Sequence, residues 1–133
     1  RPSGSYGRGI DPMAYCLIVD DSSVVRAVAR RILEELKFDV DEAENGQIAL
    51  DRCGADMPDL VLLDWKMPVL DGLGFLKELR ARPNGETPKV LFCTAESDLP
   101  SIQAAIDAGA DEYIMKPFEQ EIVQSKLTEV GII

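Results

Sequence analysis

The chain has 133 residues, 46% of them apolar and 29% charged, with a net charge of −10. That length is about one domain with a core of its own, and the balance of apolar and charged residues excludes a disordered chain. The acidic surplus makes nucleic acid and anionic lipid poor partners, and no apolar run reaches the length of a membrane span.

Residues 1–12, RPSGSYGRGIDP, are rich in Gly, Ser and Arg without periodicity, and Met13 follows them. They are read as an expression-tag leader, with the domain spanning 13–133. Gly7 and Gly9 follow no strand and form no nucleotide fingerprint. Cys16–Val19 is a candidate buried strand. Ser22 or Ser23 caps the helix after it, in which Val24, Val28, Ile32 and Leu36 recur every fourth residue while Arg26, Arg30 and Glu34 face out. Phe38 and Val40 alternate with Asp39 and Asp41, the pattern of an edge strand with one wet face. Asn45-Gly46 opens a helix through about Cys53.

Leu60–Leu63 is a third strand, apolar throughout, and Asp71 caps a helix carrying Leu73, Leu76 and Leu79. Residues 83–88 form a loop, and Val90–Cys93 a fourth strand. Pro100 suits the first turn of a helix ending at Gly109, Tyr113–Met115 is the fifth strand, and a last helix runs from Phe118 to about Val130. Alternation of this kind implies right-handed crossovers and a doubly wound parallel α/β sheet covered on both faces.

The chain has no histidine, which removes the commonest general base and zinc ligand and any phosphohistidine donor. Cys16, Cys53 and Cys93 form no CxxC pair and are expected as buried reduced thiols, in keeping with a reducing cytoplasm.

Ligands of open parallel sheets bind beyond the carboxyl ends of the strands. Here those ends are Asp20-Asp21, Asp64, Thr94 and Lys116-Pro117, with Glu42-Ala43-Glu44 on the edge strand. Any one of these could mark a strand surfacing into water. Together, three carboxylates, a hydroxyl and an ammonium form a set with complementary chemistry. A hard divalent cation such as magnesium relieves carboxylate repulsion, and a lysine and a hydroxyl hold phosphoryl oxygens.

The segments LIVDDS (17–22), LLDWKMP (62–68) with DG at 71–72, FCTA (92–95) and GADEYIMKPF (109–118) resemble, in that order, the receiver domains of bacterial two-component response regulators, of the single-domain, chemotaxis-like kind. The resemblance covers about Tyr15 to Gly131. It implies a flavodoxin-like five-stranded sheet in the order 2-1-3-4-5 with five helices, acting as a phosphorylation-driven switch rather than an enzyme. Asp64 would accept phosphate from a histidine kinase, a phosphotransfer protein or a small phosphodonor. Asp21 would bind Mg2+ directly, Asp20 through water, and Asp64 and the backbone carbonyl of Lys66 would complete the protein's ligands. Lys116 would neutralise charge on the transferring oxygens, Thr94 would donate its hydroxyl, and Tyr113 would turn inward on activation. The resemblance also implies a cis Lys116-Pro117 bond, and an output face at about Leu99–Val130 for a downstream protein, on a monomer or weak dimer.

Some readings stay open. Tyr113 is equally an ordinary half-buried strand aromatic, and Trp65 reads as packing beside the pocket. Arg26, Arg30 and Arg31 are most simply a solvated helix face, with kinase docking as the alternative. Ala104, Ala105 and Ala108 either flatten the output face or pack the core. Gly72 and Gly74 spell GxG, but residue 77 is Lys and no strand directly precedes them, so no dinucleotide site is expected. Lys66 and Glu96, each two residues past a pocket residue, are expected to pair across the mouth and obstruct the hydrolytic water. Two rivals compete with the switch. A Mg-dependent phosphatase of the haloacid dehalogenase type would need a second Asp where Lys66 stands. A phosphorylation-independent pseudo-receiver usually loses one of the acidic residues, the Thr/Ser or the Lys, and all are present here.

Overall fold

The computed structural model describes residues 14–94 and 99–133. Residues 1–12, expected to be a leader, and Glu96 lie outside the described residues. Five strands alternate with five helices: β1 Tyr15–Val19, α1 Ser23–Glu35, β2 Asp39–Ala43, α2 Gly46–Ala55, β3 Leu60–Asp64, α3 Gly72–Arg80, β4 Lys89–Thr94, α4 Leu99–Asp107, β5 Glu112–Met115 and α5 Gln120–Glu129. All pairings are parallel, in the order β2-β1-β3-β4-β5.

The central strands are apolar at nearly every position because both faces of the sheet are covered. Leu17, Val19, Val61, Leu63, Val90 and Phe92 pack with the buried faces of α2, α3 and α4. The alternate residues Cys16, Ile18, Leu60, Leu62, Leu91 and Cys93 pack with α1 and α5. Each Val, Leu, Ile or Phe among them contributes roughly 1.5–3 kcal/mol by leaving water. Asp39 to Glu42 on β2 are only partly buried, as an edge strand requires.

The helix starts follow their capping chemistry. The Ser22 hydroxyl accepts from Val25 N (3.2 Å), the Asn45 side chain from Ile48 N (2.9 Å), and the Asp71 carboxylate from Gly74 N (2.9 Å).

The buried stripe of α1 differs from its expected phase. Val24 and Val28 are 71% and 47% exposed, while Ala29, Ile32 and Leu33 are buried and Val25 and Leu36 pack beside them. A repeat of four drifts round a helix of 3.6 residues per turn, and the sheet takes the stripe that mixes steps of three and four. On α3 the buried apolar residues are Phe75, Leu76 and Leu79, with Leu73 only partly buried. Ala105 is core, and Ala108 packs against the core edge.

All three cysteines are free and buried. Burial pushes the Cys53 thiol up to about 11 and the Cys93 thiol to about 12, so neither offers a thiolate near neutrality. No helix among the described residues is long and apolar enough to cross a membrane.

Candidate functional site

The strand order reverses between β1 and β3, where crossovers leave for opposite faces of the sheet, and the acidic residues stand at the carboxyl ends of those two strands. Asp20 directly follows β1, and its N–H bonds the Ala43 carbonyl on β2 (3.1 Å). It is the one buried charged side chain among the described residues, at 3% exposure. Its Oδ1 accepts from Ser22 N (2.9 Å) and its Oδ2 from Lys116 Nζ (2.8 Å). Asp21 is exposed at the rim, and Asp64 ends β3 partly buried. One oxygen from each of Asp20, Asp21 and Asp64 lies within 4.8 Å of the other two.

Lys116 comes from the turn after β5. Its backbone N–H bonds the Thr94 carbonyl (2.7 Å), which holds the turn over the end of β4. The Lys116–Pro117 peptide is cis, as the resemblance implied. The ammonium then reaches across the sheet to Asp64 Oδ1 (3.0 Å) as well as Asp20.

Burial raises the pKa of Asp64, and the neighbouring Asp20 charge adds to the rise while Lys116 opposes it. For Lys116, burial works against the charge, but hydrogen bonds to Asp20 and Asp64 outweigh it and lift its pKa. Lys116 therefore stays cationic. An oxygen-only donor set around three crowded carboxylates suits a hard divalent cation such as Mg2+.

The loop after β3 is tied down at its far end. Gly72 N bonds the Trp65 carbonyl (3.0 Å) and Gly46 N the Leu70 carbonyl (3.0 Å). Gly72 lies so close to the Asp64 carbonyl that a Cβ there would collide with it. Trp65 packs edge-on against Phe92, centroids 4.7 Å apart, as the packing reading expected. Lys66 is exposed, while the Glu96 side of its expected pair falls outside the described residues.

Thr94 ends β4 one residue beyond Cys93, the register partner of Asp64. Tyr113 sits on β5 partly buried against the core, with Lys126 Nζ 4.8 Å from its ring centroid. It lies away from the Asp20–Asp64–Lys116 cluster in the register, on the strand beyond Thr94.

Sequence reasoning missed the environment of Arg26 and Arg30. Neither is simply solvated: Arg26 Nε and Arg30 Nε take one oxygen each of Glu42 (2.9 and 2.6 Å), and Arg26 Nη1 bonds the Asp20 carbonyl (2.7 Å). After burial is set against them, these two guanidiniums hold the Glu42 pKa below its usual value. The available signal was Glu42 itself, an acid near the carboxyl end of the edge strand. Arg31 is exposed, paired with Glu35 at 3.7 Å.

The fold and pocket together define a flavodoxin-like α/β domain with a carboxylate–lysine cluster at its topological switch point. A family model described as "Response regulator receiver domain" matches residues 16–128. The chain belongs to that family. It is 40% identical over 111 residues to the response regulator MprA of Mycolicibacterium vanbaalenii, covering 84% of this chain and 47% of the relative. It is 38% identical over 115 residues to the chemotaxis protein CheY of Halobacterium salinarum, covering 86% and 93%. The chain thus spans about half the length of MprA and most of CheY.

Among solved structures, the Vibrio cholerae chemotaxis protein CheY4 superposes with a TM-score of 0.84 at 30% identity, over 89% of this chain and 98% of that one. The receiver domain of the sensor histidine kinase PA1611 from Pseudomonas aeruginosa, with a magnesium ion coordinated in its active site cleft, gives 0.81 at 28% identity, over 88% and 96%. Receiver domains act in two-component signalling, where phosphorylation and Mg2+ are general features, and they are switches more than enzymes.

Proposed function

We propose that the protein is a phosphorylation-activated switch in which Asp64 accepts a phosphoryl group from a histidine kinase or phosphotransfer protein. The observation that carries this is the Lys116 ammonium, 3.0 Å from Asp64 and 2.8 Å from Asp20 at the mouth of the three-carboxylate cluster. A carboxylate oxygen of Asp64 forms the new P–O bond while the donor's P–N bond breaks and the electron pair leaves with the imidazole. Asp20, Asp21, Asp64 and the Lys66 carbonyl would hold Mg2+, which supplies charge neutralisation at the transferring oxygens. Lys116 binds and orients those oxygens from the other side, and the Thr94 hydroxyl donates to the phosphoryl group once it is in place.

The output is a contact with a downstream protein, made on the face of α4, β5 and α5. Leu99, Ile106, Met115 and Ile122 are exposed along those elements, and Tyr113 is the aromatic that would rearrange with Thr94. Lys66 and Glu96 would pair at the mouth and slow hydrolysis of the acyl phosphate; unchanged dephosphorylation in Lys66→Ala and Glu96→Ala, singly and together, would exclude that role. Three buried free thiols support a reducing cytoplasmic setting.

The test is intact-protein mass spectrometry after acetyl phosphate or phosphoramidate, with and without Mg2+, on wild type and Asp64→Asn. One Mg-dependent phosphoryl adduct, lost in Asp64→Asn, is expected. No adduct from either donor in a protein that binds Mg2+ would favour a phosphorylation-independent binding module.

A further inference from the structure

The three residues between β1 and α1 carry two of the acidic side chains, so whatever fixes their path fixes the pocket. Asp20 N–H is held by β2 through the Ala43 carbonyl (3.1 Å), and the Arg26 N–H bonds the Ser22 carbonyl (3.0 Å). Asp20's own carbonyl lies beyond the last β1–β2 register pair, Val19 with Ala43. A side chain takes it: Arg26 Nη1 donates at 2.7 Å from the first turn of α1. The same guanidinium is anchored to β2 by Glu42 at 2.9 Å, and the second oxygen of Glu42 is taken by Arg30 at 2.6 Å. The Arg26 side chain is only 17% exposed. One planar group thus joins the end of the edge strand, the first turn of α1 and the backbone of the acidic turn.

We infer that Arg26 is a positioning residue for the acidic pocket, holding the Asp20–Asp21 backbone through the Asp20 carbonyl while Glu42 fixes where its guanidinium stands. The inference rests on the reading of Asp20, Asp21 and Asp64 as a Mg2+ site. Charge and geometry give opposite signs here. As a cation beside the cluster, Arg26 repels a divalent ion, so its removal should tighten Mg2+ binding by charge alone. As a positioning residue, its removal frees the turn and weakens binding, as loss of an outer partner of a metal site does, by roughly tenfold.

Mg2+ titrations of the metal-free full chain by calorimetry, each paired with a thermal melt, separate the two. Arg26→Met keeps much of the stem and removes the guanidinium; the expected result is Mg2+ binding weakened roughly tenfold. Binding equal to or tighter than wild type overturns the inference. Glu42→Asp keeps every charge and draws the anchor back by one methylene, so it tests geometry with the electrostatics held fixed even if Arg26→Met folds poorly. Weaker binding at an unchanged Tm is expected, and unchanged binding overturns the role. Asp21→Asn is the control on the site itself. If wild type binds no Mg2+, or Asp21→Asn binds as well as wild type, the acidic-site reading falls and takes this inference with it; a loss in Asp21→Asn with none in Arg26→Met or Glu42→Asp removes Arg26 alone.

Discussion

Lys116 Nζ and Asp64 Oδ1 stand 3.0 Å apart, joined across the width of the pocket from the turn after β5 and the end of β3. The same ammonium bonds Asp20 at 2.8 Å, so one cation serves two carboxylates whose side chains are 12% and 5% exposed. Lys116→Met would leave both without that counter-charge. The expected cost is about 2 kcal/mol, or roughly 8 °C in Tm. Mg2+ should stabilise this variant more than wild type, because the ion supplies the charge the lysine no longer does. Thermal melts across a Mg2+ series test it; equal shifts in both proteins would mean that lysine and metal act independently. Because the Lys116 pKa is raised, its stabilisation is complete below 10.5 and is lost as pH climbs through the folded value.

Asp64 has the same pH slope from a different cause, because there the ionised form is the one that costs stability. Burial raises its pKa from 3.8, so its ionised form costs stability above the folded value, and that cost disappears as pH falls through it towards 3.8. In metal-free buffer at pH 7, Asp64→Asn should therefore be more stable than wild type and melt at a higher temperature. The gap should narrow on acidification. A variant less stable than wild type at pH 7 would show that the bond to Lys116 outweighs desolvation.

The sheet was legible because its central strands are short apolar runs and its helices begin at Ser22, Asn45 and Asp71, residues whose side chains cap by chemistry that reads locally. The acidic rim was legible because a parallel sheet sends every strand end to one side. What did not read was pairing across elements. Arg26 and Glu42 lie 16 positions apart, and each alone looks like a solvated charge. The phase of α1 was also hidden: Val24 and Val28 are as apolar as Val25 and Ala29, and only the position of the sheet selects the buried stripe.

Gly72 illustrates a constraint on the acidic site that side-chain chemistry does not express. A Cβ at Gly72 would collide with the Asp64 carbonyl and come within 3.0 Å of Trp65 Cα, both backbone atoms that cannot rotate away. Gly72→Ala should lower stability by about 2 kcal/mol and displace the residues that carry Asp64. Trp65 is the protein's single tryptophan, so a shift in its emission reports that displacement directly. Gly54→Ala is the control: in α2 its Cβ meets only Arg82 Nη1 at 3.7 Å, and the helix should gain about 0.5 kcal/mol. Equal effects from the two would contradict the close approach.

Val69 holds the remaining strain in this loop. Its φ is +68°, a conformation that a β-branched residue rarely adopts, and it is 80% exposed. Leu70 N bonds the Pro68 carbonyl at 2.8 Å, closing a three-residue γ-turn with Val69 at its centre. The Leu70 carbonyl is fixed in turn by Gly46 N, so the turn cannot relax without releasing the start of α2. Replacing Val69 with Asn, which is not β-branched and occurs at positive φ more often than most residues with a side chain, should stabilise the protein by about 1 kcal/mol. Gly should give less, roughly 0.5 kcal/mol, because it also frees the unfolded chain. Ala, which still has a Cβ, should fall nearest to wild type. Urea denaturation of the three variants tests the ranking, and a Val69→Asn protein no more stable than Val69→Ala would rule out backbone strain as the cause. Lys66, whose carbonyl is proposed as a ligand of the cation, lies two residues before this turn, so the Mg2+ affinity of Val69→Asn shows whether the tension reaches the pocket. An unchanged affinity would confine it to the turn.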